Sequence, residues 1–312
     1  MTQILLGTYS DAIHQARFDG TLQEDGAAIT TAAPSFLAVH PRSGVRYAVA
    51  EVALGTVSAF DRAGELIATV PSGGSDPCHL LVSGDDLWVA NYGDGTATAI
   101  PLDGDGGFAG PGRAFPTTGS GPDADRQSGP HAHSTTAVGD ELWVADLGTD
   151  RLRRFAGGAE LDPIQLPAGC GPRHLAVLPD GAVAVATELD DGLVVVRDGA
   201  VVAHVPATAA AAPADAGNHP SHIAVVGELL VIAVRGADVL STFRLTADGP
   251  VHLADSPVGG RCPRHFAAVG EHVLVACQHT DEVTALRLDQ GSGQAAQVGA
   301  LPVAKPACVL PL

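Results

Sequence analysis

Short apolar runs, each closed by glycine, proline, aspartate or asparagine, recur along the whole chain, and seven of them follow a proline. They are Pro34-Ser-Phe-Leu-Ala-Val, Pro77-Cys-His-Leu-Leu-Val, Pro130-His-Ala-His-Ser, Pro172-Arg-His-Leu-Ala-Val, Pro220-Ser-His-Ile-Ala-Val, Pro263-Arg-His-Phe-Ala-Ala-Val and Pro306-Ala-Cys-Val-Leu. The prolines stand 43, 53, 42, 48, 43 and 43 residues apart, close to the length of one four-stranded propeller blade. After six of them a second apolar run ends in a polar residue: Glu51, Asn91, Asp146, Glu188, Arg235 and Gln278. Runs this short, rich in Val, Ile, Leu and Ala and flanked by turn residues, read as buried strands, since a helix needs ten or more periodic residues. Third strands follow, as at Val57-Ser-Ala-Phe and Val283-Thr-Ala-Leu-Arg-Leu.

Pro306 has too little chain after it for a second strand, but Ile4-Leu-Leu-Gly-Thr-Tyr and Ile13-His-Gln-Ala-Arg-Phe read as a second and a third strand. The pattern therefore predicts an all-β, seven-bladed β-propeller over residues 1–312 as a single domain, closed by N- and C-terminal strands in one blade, which removes two exposed sheet edges. A β-sandwich has no reason for a constant period, and a helical repeat would show 3.6-residue periodicity and fewer glycines than the 38 present. The absence of Gly-His…Trp-Asp signatures argues against the WD40 type.

In an antiparallel hairpin the start of the first strand and the end of the second lie at the same end. The residues after each proline and those ending each second strand are thus expected on one face: His131, His133, Arg173, Arg264, Glu51, Asn91, Asp146, Glu188, Arg235 and Gln278. Comparing blades separates scaffold from chemistry. Two residues after the proline, histidine recurs at His79, His174, His222 and His265, which favours a structural duty. One residue after it the chain reads Ser35, Cys78, His131, Arg173, Ser221, Arg264 and Ala307, so no common structural need explains the histidine and the two arginines. Asn91 and Asp146 also suit turn capping, whereas Glu51 and Glu188 end strands where no turn requires a carboxylate.

Charge narrows the partners. Seventeen Lys and Arg against 35 Asp and Glu give a net charge of −18, so nucleic acid and anionic membrane are excluded as partners. An anionic substrate then requires the few arginines to be gathered into one local field. Five cysteines, Cys78, Cys170, Cys262, Cys277 and Cys308, without a Cys-x-x-Cys pair fit neither a disulfide framework nor a zinc cluster. With no signal-type N-terminus and no membrane-spanning stretch, a cytoplasmic protein is expected. Gly-x-Ser-x-Gly, Gly-x-x-x-x-Gly-Lys and His-Glu-x-x-His are all missing.

Gly7-Thr-Tyr, Pro34-Ser-Phe-Leu-Ala, Ala90-Asn-Tyr-Gly, Pro130-His-Ala-His-Ser, Asp146-Leu-Gly-Thr-Asp150, Gly171-Pro-Arg-His and Pro263-Arg-His-Phe together resemble the bacterial 6-phosphogluconolactonase family of propeller lactonases, related to carboxymuconate lactonising enzymes. The resemblance implies a metal-independent site without cofactor, built from a histidine, an arginine, a glutamate and a further arginine. These fall on His131, Arg173, Glu188 and either Arg235 or Arg264. The chain departs from the family at Val234-Arg235-Gly236 and Thr187-Glu188-Leu189, where Asn-Arg-Gly and Asn-Glu-Leu are usual.

The expected reaction is hydrolysis of a small sugar-type lactone. The arginines hold the substrate's phosphate or carboxylate and stabilise the oxyanion, with Glu188 and His131 as base and acid. His133, Glu51, Asn91, Asp146 and Gln278 are expected to contact substrate. The partner is a small anionic or lactone molecule, and the protein a monomer or weak homo-oligomer. Alternatives are a carboxymuconate-type cycloisomerase, a non-catalytic propeller binding module, and a calcium-dependent lactonase using Glu51, Asp146 and Asn91.

Overall fold

A computed structural model describes residues 1–214 and 217–312. Every regular element among the described residues is a strand. Six sheets are antiparallel meanders in which each strand pairs with the next, over residues 37–71, 77–115, 132–165, 172–206, 219–257 and 263–302. The seventh sheet is composite: Pro306–Pro311 pairs with Thr2–Thr8, which pairs with Ala12–Phe18, followed by Leu22–Glu24. The Leu312 N–H donates to the Gln3 carbonyl at 2.9 Å. The two ends of the chain thus share one sheet, as the missing strands after Pro306 required.

The prolines mark where the first strands begin. Pro77, Pro172, Pro263 and Pro306 open theirs and Pro220 is second in its strand, while Pro34 and Pro130 stand just ahead of theirs. Proline has no N–H to donate to a ladder, so it is tolerated at a strand's first residue.

The chain forms two compact units. One comprises residues 1–6, 14–27 and 172–312, the other residues 7–13 and 28–171. In the first, apolar side chains fill the spaces between successive sheets: Leu193, Val195 and Phe243 between the sheets 172–206 and 219–257, then Leu240, Phe266 and Val275 against the sheet 263–302, then Ile4, Phe18 and Leu274 against the composite sheet. In the second unit Tyr47, Leu80 and Val89 fill one such layer, and Trp88, Val144 and Phe155 the next. Second strands such as Val183–Thr187 are buried throughout, while fourth strands such as Ala200–Pro206 are mostly exposed. This is why the second strands carry the cleanest hydrophobic signal in the sequence.

Two local devices repeat. Five sheets carry a β-bulge early in the first strand, leaving Cys78, His133, Arg173, Ser221 and Arg264 outside the ladder. A bulged residue has no cross-strand partner, so its side chain can be re-aimed without disturbing the pairing. In addition Asp150, Asp191, Asp238 and Asp281, in the turns between second and third strands, adopt φ of 53–55°. Their carboxylates reach the segment leading into the next sheet: Asp238 accepts from the Cys262 N–H at 2.8 Å, Asp281 from the Lys305 N–H at 2.8 Å, and Asp191 from Asn218 Nδ2 at 3.0 Å. Each such bond fixes the residues that enter the following first strand.

Candidate active site

The pairing register decides which positions are equivalent from sheet to sheet. The N–H groups of Glu51, Tyr92, Leu147 and Gln278 donate to the carbonyls of Ala33, Asp76, His131 and Cys262. Thr187 and Val234 pair with Pro172 and Pro220, so Glu188 and Arg235 hold the same position in their sheets. Asn91 and Asp146 lie one residue earlier, and grouping them with Glu188 and Arg235 from the sequence is corrected here. The sheet 132–165 also starts its ladder at Ala132, so the residue equivalent to Arg173 and Arg264 is His133, and His131 matches His219 and Cys262 instead.

In the first unit the two strand ends bring charge together. Arg173 stands on its bulge in Pro172–Val177, Glu188 follows Val183–Thr187, and Arg235 ends Leu229–Arg235. Arg173 Nε lies 2.9 Å and an Arg235 terminal nitrogen 2.7 Å from the same oxygen, Glu188 Oε2. Arg173 and Glu188 are almost fully buried and Arg235 is 16% exposed at its side chain.

The arginines are also tethered at their other nitrogens. Arg173 donates to the Ser221 carbonyl, and the Ser221 hydroxyl lies within hydrogen-bond distance of the carbonyls of both Pro263 and Ala233, its one hydrogen serving either. Arg235 Nε donates to the His219 carbonyl at 3.2 Å, and His219 Nδ1 to the Glu188 carbonyl at 3.1 Å. Gly236 makes the turn after Arg235 possible: its φ is +99°, and a Cβ there would overlap the Gly217 carbonyl oxygen.

Beside this cluster lies Cys262, half-buried, with its thiol 3.8 Å from Gln278 Oε1. Burial pushes the Cys262 thiol up, an effect opposed by the positive charges of Arg235, Arg264 and Arg173. These three arginines therefore share one neighbourhood, with Glu188 and Asp238 as its carboxylates. In a chain of net charge −18 this is a local excess of positive charge, the field an anionic ligand requires.

Of the sequence-expected residues, the first unit brings together Arg173, Glu188, Arg235, Arg264 and Gln278. His219 and Cys262 were missed. Each immediately precedes the repeated proline, and comparing blades one residue earlier would have singled them out.

In the second unit, the His131 Nδ1 donates to the Tyr92 carbonyl at 2.7 Å, and the His131 ring stacks on Tyr92 with centroids 4.5 Å apart at 19°. His133 meets Tyr92 edge-on at 5.3 Å and lies 3.9 Å from the Cys78 sulfur. Asp146 is fully buried, its carboxylate accepting from the His131 N–H at 2.8 Å and the Thr149 hydroxyl at 2.6 Å. Asn91 is buried too, its amide donating to Thr96 O at 2.9 Å and Thr98 Oγ1 at 3.3 Å. Both side chains serve their own turns. Glu51 accepts from the Tyr9 hydroxyl at 3.2 Å. Among the described residues no group of three or more His, Cys, Asp or Glu is arranged to hold a metal ion.

The histidines two residues after the prolines link neighbouring sheets. His79 Nδ1 lies 3.2 Å from Thr135 Oγ1, and His174 Nδ1 lies 2.8 Å from His222 Nδ1. His222 stacks on His265 with centroids 4.0 Å apart, and His265 Nδ1 accepts from the Val309 N–H at 3.3 Å. The structural duty read from their recurrence is the one they perform.

The family model "Lactonase, 7-bladed beta-propeller" matches residues 3–311. Proteins named 6-phosphogluconolactonase from Pectobacterium atrosepticum and Pectobacterium carotovorum are 27% identical over 210 and 207 residues, 61% of this chain. The match spans 60% of the length of these curated relatives. Among solved structures, a protein from Lactobacillus plantarum superposes with a TM-score of 0.91 at 29% identity, covering 100% of both chains. The periplasmic gluconolactonase of Pseudomonas aeruginosa gives 0.88 at 26%, covering 100% of this chain and 99% of that one.

Proposed function

The chain belongs to the lactonase family of seven-bladed β-propellers, and we propose from this that it hydrolyses a small sugar-type lactone of the 6-phosphogluconolactone kind. One observation carries the reading to particular residues: two arginines from neighbouring sheets converge on a single oxygen of a buried glutamate. Water attacks the lactone carbonyl, negative charge moves to its oxygen, and collapse breaks the ring C–O bond to give a hydroxy acid.

Arg173 and Arg235 supply fixed positive charge where the oxyanion develops. Tethering by Glu188, Ser221 O and His219 O means that their orientation is set before substrate arrives. A preorganised donor of this kind is worth roughly 10²–10³ in rate. Glu188 takes the proton of the attacking water and returns it to the ring oxygen as the C–O bond breaks, a contribution of about 10²–10⁴. Arg235 is preferred over Arg264 as the second arginine because it reaches Glu188, while the charge of Arg264 is felt at Cys262.

A reducing compartment and a role in carbohydrate metabolism fit this reading, and five free cysteines support the former. No helix among the described residues is long and apolar enough to cross a membrane. Cell fractionation tests the compartment.

The test of function is a panel of sugar lactones, assayed by acid release with and without chelator for wild type, Arg173→Ala, Arg235→Ala and Glu188→Gln. Each variant is expected to lose at least about 10²-fold, and chelation to leave wild type unchanged. Full activity in all three variants removes the assignment, and turnover of a muconate instead of any sugar lactone moves the protein to the lactonising branch.

A further inference from the structure

At one corner of the first unit the chain departs from its own repeat, and that corner is where Glu188 and Arg235 meet. We propose that Asn218 is a positioning residue for these two side chains, its single amide setting the spacing between the turns that follow them. This role rests on the reading of the cluster as the lactone-opening site and adds to it the residue that keeps the cluster in register.

Of the four aspartates in turns between second and third strands, three capture the N–H of the residue just ahead of a repeated proline. Asp150 takes that of Gly171, Asp238 that of Cys262 and Asp281 that of Lys305, each at 2.8 Å. Asp191 instead accepts from the side chain of Asn218, two residues ahead of Pro220, at 3.0 Å. A backbone N–H can fix only the strand that follows it. A side-chain amide carries two donor hydrogens and an acceptor oxygen, so it can join several segments at once. Asn218 uses all of them: Nδ2 donates to Asp191 Oδ2 and to Ala210 O, both at 3.0 Å, and Oδ1 accepts from the Ala237 N–H at 3.0 Å.

These bonds bracket the charged cluster. Asp191 lies in the turn that follows Glu188, and Ala237 in the turn that follows Arg235. The next residue along the chain, His219, holds the same two partners directly, through Arg235 Nε on its carbonyl and through its ring on the Glu188 carbonyl. Residues 218 and 219 thus grip both members of the 2.7 Å contact between Arg235 and Glu188. The fit is close, since a Cβ on Gly236 would stand 3.2 Å from Asn218 Cα. The bond to Ala210 anchors the amide itself. Ala210 belongs to the alanine-rich connection after Ala200–Pro206, which is fastened by the Ala207 N–H to Asp191 O at 2.9 Å, and by the Thr208 hydroxyl and the Ala209 N–H to the Asp255 carboxylate at 2.7 and 3.0 Å. Asn218 is 7% exposed, so little water competes for its bonds.

Direction is what this bracket adds. With three fixed partners the amide has one orientation, because turning it over would set its NH₂ against the Ala237 N–H and its oxygen against the Asp191 carboxylate. Glu188 and Arg235 come from neighbouring sheets, and the layer between those sheets is apolar, a packing force without direction. Hydrogen bonds at the strand ends therefore set where the two charges stand. A misplacement of about 1 Å is enough to cost about 10²-fold in rate.

Exchanging the amide and the carboxylate tests the role. Asn218→Asp removes both donors and sets a second carboxylate against Asp191. The double variant Asn218→Asp with Asp191→Asn restores a donor and an acceptor in reversed order, and asparagine tolerates the φ of 55° at residue 191. In the full chain, below the melting transition of each variant, kcat and KM for a sugar lactone are measured together with hydrogen exchange at the Arg235 Nε–H, whose NMR signal is assigned by its loss in Arg235→Ala. Asn218→Asp is expected to lower kcat by about tenfold or more with KM within about threefold of wild type, and to speed exchange at Arg235 Nε. The double variant is expected to regain at least about half of that loss on a logarithmic scale, and Asp191→Asn alone, which keeps an acceptor for Asn218, to stay within about threefold of wild type. Asn218→Ala removes all three bonds without adding charge and is expected to show the same fall and the same faster exchange, so the question is decided even where Asn218→Asp does not fold. Wild-type kcat in both Asn218 variants, or a loss that the double variant does not recover, overturns the positioning role. Should wild type open no sugar lactone, the proposed function fails and exchange at Arg235 Nε decides alone: faster exchange in Asn218→Ala upholds the bracket, and an unchanged rate overturns it.

Discussion

Lowering the pH should weaken this protein through one buried ring. Burial, and secondarily the positive charge of Arg173, push the His265 imidazole down from 6.5 to about 3. In the unfolded chain the same ring takes up a proton as the pH falls through 6.5, whereas the folded protein refuses it until about 3. The ring's contribution is thus intact above pH 6.5 and is lost progressively below it. Each pH unit in that window costs about 1.4 kcal/mol, so moving from pH 7 to pH 5 removes about 2 kcal/mol. Carboxylates add their own dependence, and a variant isolates the term. His265→Gln keeps an acceptor for the Val309 N–H and cannot titrate. Urea unfolding of both proteins at pH 7 and pH 5 should show the wild type losing about 2 kcal/mol more than the variant over this interval. Equal losses would refute the reasoning. Arg173→Ala supplies a second reading: with the guanidinium gone, the His265 ring should titrate at a higher pH by NMR, and an unmoved midpoint would mean that the charge of Arg173 does not reach it.

Further outcomes are expected. Arg235→Ala should lose about 10²-fold or more in lactone opening while Arg264→Ala loses less than about tenfold, and the reverse order would exchange their roles. Alkylation of Cys262, the half-buried thiol beside three arginines, should abolish activity in wild type and leave Cys262→Ser unaffected; loss in both would place the sensitive thiol elsewhere. Gly236→Ala should destabilise by more than about 1 kcal/mol, measured by urea unfolding, because a side chain meets the Gly217 carbonyl. Calorimetry should give one unfolding transition for residues 1–312, and two separated transitions would divide the chain into two domains.

The periodicity of the chain exposed the sheets because the second strands are buried on both faces and so read as unbroken apolar runs. Arg173, Glu188 and Arg235 were legible because their charge breaks the pattern of otherwise similar strand ends. Asn91 and Asp146 do end their strands, but they are the last paired residues, polar because their side chains cap turns, whereas Glu188 lies one residue beyond the last pair of its sheet. His131 was matched to Arg173 through Pro130, yet that sheet begins its pairing at Ala132, so counting from the proline misplaces it by two residues. Bulges do not alter composition or alternation enough to be seen in one sequence.

The composite sheet has a consequence for biosynthesis. Residues 2–8 are synthesised some three hundred residues before the strand they pair with, 306–311. Until residues 306–311 emerge, the edge of Thr2–Thr8 offers unsatisfied N–H and C=O groups to any passing strand. A product that lacks residues 306–311 is left with that edge open however well its other sheets have formed.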